Sequence, residues 1–96
     1  MNDMYEVRGI HTRVLGTLGE TVLLACLPQT GFTRARLLAL GAIELPEPLA
    51  MRLGARLVLA EDKSFFERAV AAGLYRPLTE ADRLAARNIR AAEPDI

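Results

Sequence analysis

The chain has 96 residues, 51% of them hydrophobic and 25% charged, with 12 basic and 12 acidic side chains that cancel to a formal net charge of zero. That balance excludes a global field strong enough to draw the protein onto a polyanion, and the apolar content excludes disorder over most of the length. One domain spanning 1–96 is expected, with one modest core. No run of about 18 apolar residues is present, so no membrane-spanning helix is predicted.

Residues 4–15, MYEVRGIHTRVL, alternate as a strand does, with the register breaking at Gly9. A β-bulge at Gly9 would put Tyr5, Val7, Ile10, Thr12 and Val14 on one face, and Glu6, Arg8, His11 and Arg13 on the wet face. GTLGE (16–20) reads as a glycine-rich turn, and TVLLACL (21–27) as a buried strand of a hairpin. PQTG (28–31) is the next turn, since Pro28 ends the strand and Gly31 supplies a positive φ.

The following stretch, GFTRARLLALG, supports two structures. As a third strand of a meander, 32–38 would place Phe32, Arg34 and Arg36 on one face, and a two-stranded hairpin wants such a partner. As a helix, Thr33 would cap Arg34 to Leu40 and Gly41 would follow as the terminator, which the propensities of Arg, Ala and Leu favour. Topology tips the expectation to the strand.

Pro46 and Pro48 exclude a central strand in the next stretch. Pro48 to Leu53 is predicted as a short helical turn stopped by Gly54, and ARLVLA (55–60) as a further strand. EDKSFFERAVAAG begins a helix capped by Asp62 or by Ser64, the latter with Glu67 as a capping box; Phe65, Phe66, Ala69 and Val70 form its apolar stripe, and Gly73 ends it. LYRP turns the chain. A last helix starts at Thr79, with Asp82 at the third helical position and Glu80 at the positive end of the dipole. Ala81, Leu84, Ala85, Ile89 and Ala92 would face inward, with 93–96 as a frayed tail.

Strands first (4–60) and two helices after (61–92) make an α+β domain: an N-terminal antiparallel β-meander or small partly open barrel, followed by a C-terminal helical pair. The short strands and the glycine before an apolar strand in LGARLVLA resemble small barrels of the OB or SH3-like kind, a likeness of fold alone over roughly residues 5–60. A helix-turn-helix over 21–41 is opposed by Pro28 and by the β-branched start of TVLLACL.

Few residues are suited to catalysis. His11 is the only histidine, expected on a wet strand face as plain surface. Cys26, the only cysteine, lies in an apolar run, so the two should not meet as a dyad. One cysteine builds no internal disulfide, one His and one Cys make no zinc site, and GTLGE lacks the ending of a phosphate loop. The acidic start MNDMYEVRG does not read as a signal peptide. These features predict a cytoplasmic, non-enzymatic protein with no cofactor and no metal.

Eleven of the twelve basic residues are arginine, which GC-rich coding alone would also produce. Two arginine groups are candidate contacts. Arg83, Arg87 and Arg90 fall at i, i+4 and i+7 of the last helix, as a basic stripe or as a solvated face partly paired with Glu80. Phe32, Arg34 and Arg36 form the other group, widened by Arg8, His11 and Arg13 if the sheet curls shut; aromatic and guanidinium groups of this kind hold single-stranded nucleic acid on barrel faces. A regulatory or binding role through a protein partner or homo-oligomer is the first expectation, because the net charge is neutral and small domains gain stability by association. A nucleic-acid-binding module is the second.

Overall fold

The computed structural model describes residues 3–84. Six strands form one open antiparallel sheet: β1 (Met4–Val7), β2 (Ile10–Leu18), β3 (Thr21–Cys26), β4 (Ile43–Glu44), β5 (Leu57–Asp62) and β6 (Arg76–Pro77). Their spatial order is β4-β5-β3-β2-β1-β6. Helices α1 (Arg34–Ala39), α2 (Glu47–Leu53) and α3 (Lys63–Ala71) lie between them in the chain, and a fourth, α4, is described over 80–84. The architecture is α+β, with the expected meander of β1, β2 and β3 and the expected helices in the last third.

The break at Gly9 is a hairpin turn and not a bulge. Val7 pairs with Ile10, and the two residues between them, Arg8 and Gly9, hold φ of 54° and 82°. Positive φ at both central positions is what a type I′ hairpin turn requires. Tyr5, Val7, Ile10, Thr12 and Val14 still share one face, because directly opposed residues of an antiparallel pair do so, but the second set is not the wet face expected: Arg8 sits in the turn and His11 is buried. The second turn is also tighter than GTLGE suggests. β2 runs on through Leu18, which pairs with Thr21, and the register shift in this hairpin falls between Val14 and Gly16.

Residues 32–38 do not form a strand. Thr33 caps α1, its Oγ1 accepting the Arg36 N–H at 3.2 Å. Leu37 anchors the helix from beneath with no exposed surface. The partner that β3 needs comes from later in the chain: β5 pairs along it, Thr21 opposite Asp62 through Ala25 opposite Val58. The segment after β3 is thereby free to coil.

One face of the sheet carries the core. Val7, Ile10, Val22, Leu24, Cys26, Leu57 and Leu59 from the strands meet Leu37 of α1 and Phe66 and Ala69 of α3, with Tyr5, Phe32 and Leu38 packed at the margin. Burying a side chain of this size contributes about 1.5–3 kcal/mol. Tyr5 and Tyr75 flank Phe66, at ring-centroid distances of 5.6 and 5.8 Å.

The helix of the last third begins at Lys63, where the first of the two expected caps puts it, and β5 runs through Glu61 and Asp62 up to that point. Asp62 is the cap, accepting the Phe65 N–H at 3.0 Å, so Ser64 is not. LYRP does more than turn: Arg76 and Pro77 pair with Glu6 and Tyr5 as β6. The predicted box at α4 is present and reciprocal, Thr79 N–H to Asp82 Oδ2 at 2.9 Å and Asp82 N–H to Thr79 Oγ1 at 3.2 Å. Ala81 and Leu84, expected to face inward, are exposed. Arg76 holds Asp82 at 3.1 Å and turns that side of the helix toward β6 instead. Ala85, Ile89, Ala92 and the tail 93–96 lie outside the described residues. Among those described, no helix is long and apolar enough to cross a membrane.

Candidate interaction site

The turn between β1 and β2 meets the segment leading into α1. Gln29 joins them. Its Oε1 accepts the His11 N–H at 3.0 Å and its Nε2 donates to the Gly9 carbonyl at 3.2 Å. The Leu27 N–H donates to the His11 carbonyl at 2.8 Å, and the Phe32 N–H to the Gln29 carbonyl at 3.1 Å. The backbone groups left over where β3 stops are thus taken up by the connection itself. Phe32 is brought so near the turn that a Cβ on Gly9 would stand 4.0 Å from its Cζ.

Phe32 and Arg36 stand together, with the guanidinium carbon 5.0 Å from the ring centroid. Both were nominated on strand alternation, yet it is the four-residue spacing of a helix that unites them. That contact is a cation–π pair, worth about 0.5–1 kcal/mol at an exposed position. Arg34 is turned away and forms an ion pair with Glu44 of β4. The three nominated side chains therefore do not make one face.

Arg8 reaches from its turn to Glu61, Nη2 to Oε2 at 2.8 Å. The other Glu61 oxygen accepts the Tyr75 hydroxyl at 2.7 Å. Burial, then the hydrogen bond to Glu61, push the Tyr75 phenol up to about 12. Cys26 lies close enough for the Arg8 charge to act on it, but burial outweighs that pull and raises its thiol to about 11. At neutral pH Cys26 is a packed thiol and not a nucleophile.

His11 departs from its predicted place on plain surface: it is 8% exposed. Its strand parity is opposite to that of Thr12, which pairs with Cys26, so the histidine and the thiol occupy opposite faces of the sheet. The imidazole Nε2 is 3.9 Å from Glu6 Oε2, while Glu6 Oε1 accepts from Arg76 Nε at 3.0 Å. Arg13 lies farther along β2, between Met4 and Ala25. Arg83 is half-buried in α4; Arg87 and Arg90 lie outside the described residues.

Two contributors to this end of the molecule escaped the sequence reading. Gln29 carries no motif, and only its place after the strand-ending Pro28 hinted at a connecting role. Glu61 heads the stretch EDKSFFERAVAAG, expected to begin a helix, whereas β5 extends through it. Among the described residues no three His, Cys, Asp or Glu side chains are grouped as metal ligands would be. No family model matches this chain, nor does any curated protein or any solved structure.

Proposed function

We propose that this chain is a small non-enzymatic binding or regulatory domain that acts in the cytoplasm through a protein partner. The observation that carries this reading is the internal neutralisation of two of its candidate arginines: Arg8 is held by Glu61 and Arg34 by Glu44. Arg76, an arginine outside the nominated set, is likewise shared by Glu6 and Asp82. A nucleic-acid site needs several cations left over for phosphates, whereas a protein surface accepts a balanced one. Exposed apolar side chains support the same reading, with Leu18, Met51 and Leu74 each more than 70% exposed. The likeness of the meander to OB or SH3-like barrels, folds used widely for binding, is in keeping with it.

The test is association. Light scattering over a wide concentration range, together with affinity capture and cross-linking in extract of the native host, is expected to return a homo-oligomer or a protein bound stoichiometrically. A strict monomer that retains no protein contradicts the proposal.

A nucleic-acid reading has one observation in its favour, the stacked Phe32 and Arg36 pair. It requires binding to an oligonucleotide at low salt that weakens steeply as salt rises and that falls in the double variant Arg34→Ala, Arg36→Ala.

A further inference from the structure

Three arginines gather near the β1–β2 turn and α1, and two of them already hold a carboxylate: Arg8 takes Glu61, and Arg34 takes Glu44. Arg36 differs. Among the described residues no carboxylate lies within ion-pairing distance of it, and the Phe32 ring covers its guanidinium at 5.0 Å. The group is exposed, planar and already positioned, so little conformational freedom remains to be lost when it binds.

Its neighbours along the helix define what fits. Phe32, Arg36 and Leu40 fall at i, i+4 and i+8, one ridge running from before α1 to its C-cap. Phe32 is half-buried, and Leu40 is 42% exposed. The ridge is therefore a cation between two apolar side chains. It is held from both ends: Thr33 Oγ1 caps the helix at the Arg36 N–H, and the Leu40 N–H bonds back to the Arg36 carbonyl at 3.0 Å. Gln29 ties the Phe32 segment to the β1–β2 turn.

Resting on the protein-partner reading above, we infer that the Phe32–Arg36–Leu40 ridge docks an acidic segment of the partner, with a carboxylate on the Arg36 guanidinium and apolar side chains of the same segment against Phe32 and Leu40. With Arg8 and Arg34 each on a carboxylate, the Arg36 guanidinium offers one positive charge that no described carboxylate takes. One charge flanked by apolar groups matches a single Asp or Glu between hydrophobic residues. It does not match a phosphate backbone, which needs a track of cations. The fork of the guanidinium suits two parallel hydrogen bonds to a carboxylate, a charge-assisted geometry that an amide cannot reproduce.

The probe is a fluorescein-labelled synthetic peptide amide, Gly-Leu-Glu-Phe-Gly, with its Gln-for-Glu counterpart and an oligothymidylate as comparisons. Anisotropy is expected to show binding of the acidic peptide, with amide shifts in the 15N-labelled protein concentrated over residues 29–40. Arg36→Ala is expected to weaken it about tenfold, the loss of one charge-assisted contact, and Leu40→Ser to weaken it several-fold. Arg13→Ala should leave it unchanged. Binding of the Gln peptide as tightly as the acidic one overturns the inference, as does undiminished binding by a folded Arg36→Ala protein, preference for the oligothymidylate, or no binding of the acidic peptide. Capture of the host partner separates this inference from the wider reading. A partner retained equally by wild type and Arg36→Ala removes the ridge as docking point while the protein-partner proposal stands.

Discussion

Cys26 shows how one position can be decided by its surroundings. Desolvation in the core raises its thiol to about 11 although Arg8 pulls the other way, so at pH 8 the thiolate fraction is lower than in an unfolded chain by roughly two orders of magnitude. A thiol-specific disulfide reagent is expected to react with the native protein about a hundredfold more slowly than with the denatured one. Equal rates would show that the side chain is accessible and the core around it loose. Arg8 presents a closer balance. A non-glycine residue at φ 54° costs roughly 1–2 kcal/mol. Its ion pair to Glu61 is about half exposed on the arginine side, so it contributes less than about 1 kcal/mol. On these magnitudes the backbone cost exceeds the ion-pair gain, so the role of the arginine is geometric: its side chain links the turn to Glu61 of β5.

At the scale of an element, α1 has six residues, too few to persist without tertiary support. Its support is the Leu37 side chain below and the Thr33 cap at its start. Thr33→Ala is expected to lower unfolding free energy by about 1 kcal/mol, read as a lower denaturant midpoint at unchanged slope. A loss well under about 0.5 kcal/mol would mean that Leu37 alone holds the helix. This helix also marks where sequence stops being decisive. Phe32, Arg34 and Arg36 alternate as strand residues do, and propensity spoke for a helix; the choice lay with whichever segment would pair β3. That partner, β5, is more than thirty residues on, beyond the reach of local pattern. The longer strands, the α2 stop at Gly54 and the Thr79–Asp82 box were legible because each rests on neighbours in the chain. β4 and β6 were not, since two residues carry no periodicity. The arrangement of the candidate residues was not legible: Phe32 and Arg36 stand together through helical spacing, Arg34 is diverted by a β4 that no periodicity announces, and Gln29 and Glu61 carry no motif. The hydrogen bond from the His11 N–H to Gln29 is likewise one that no spacing announces.

At the scale of the whole molecule, three groups set how stability follows pH. Hydrogen bonds from Thr79, backbone first and then side chain, and one from Arg76 lower the Asp82 carboxyl to about 2. A carboxyl lowered on folding resists its proton in the folded state, so its contribution is present above about pH 4 and lost as pH falls toward 2. Cys26 and Tyr75 are raised on folding, to about 11 and about 12, so their contributions hold below about pH 9 and are lost as pH climbs through those values. Melting temperature is expected to be level between about pH 4 and 9 with respect to these groups and to fall on both sides. A melting temperature that rises from pH 9 to 11, or holds from pH 4 to 2, contradicts these assignments. The outermost strands have a further consequence. β4 and β6 are two residues long, and Pro77 in β6 has no N–H to offer a newcomer, while Pro46 follows closely after β4. Neither rim can template a long run of backbone pairing, so growth into fibrils or sheet-to-sheet stacking is discouraged at both. Any partner would then have to be met by side chains, and the copy number of any assembly would be set by surface fit rather than by open-ended strand addition.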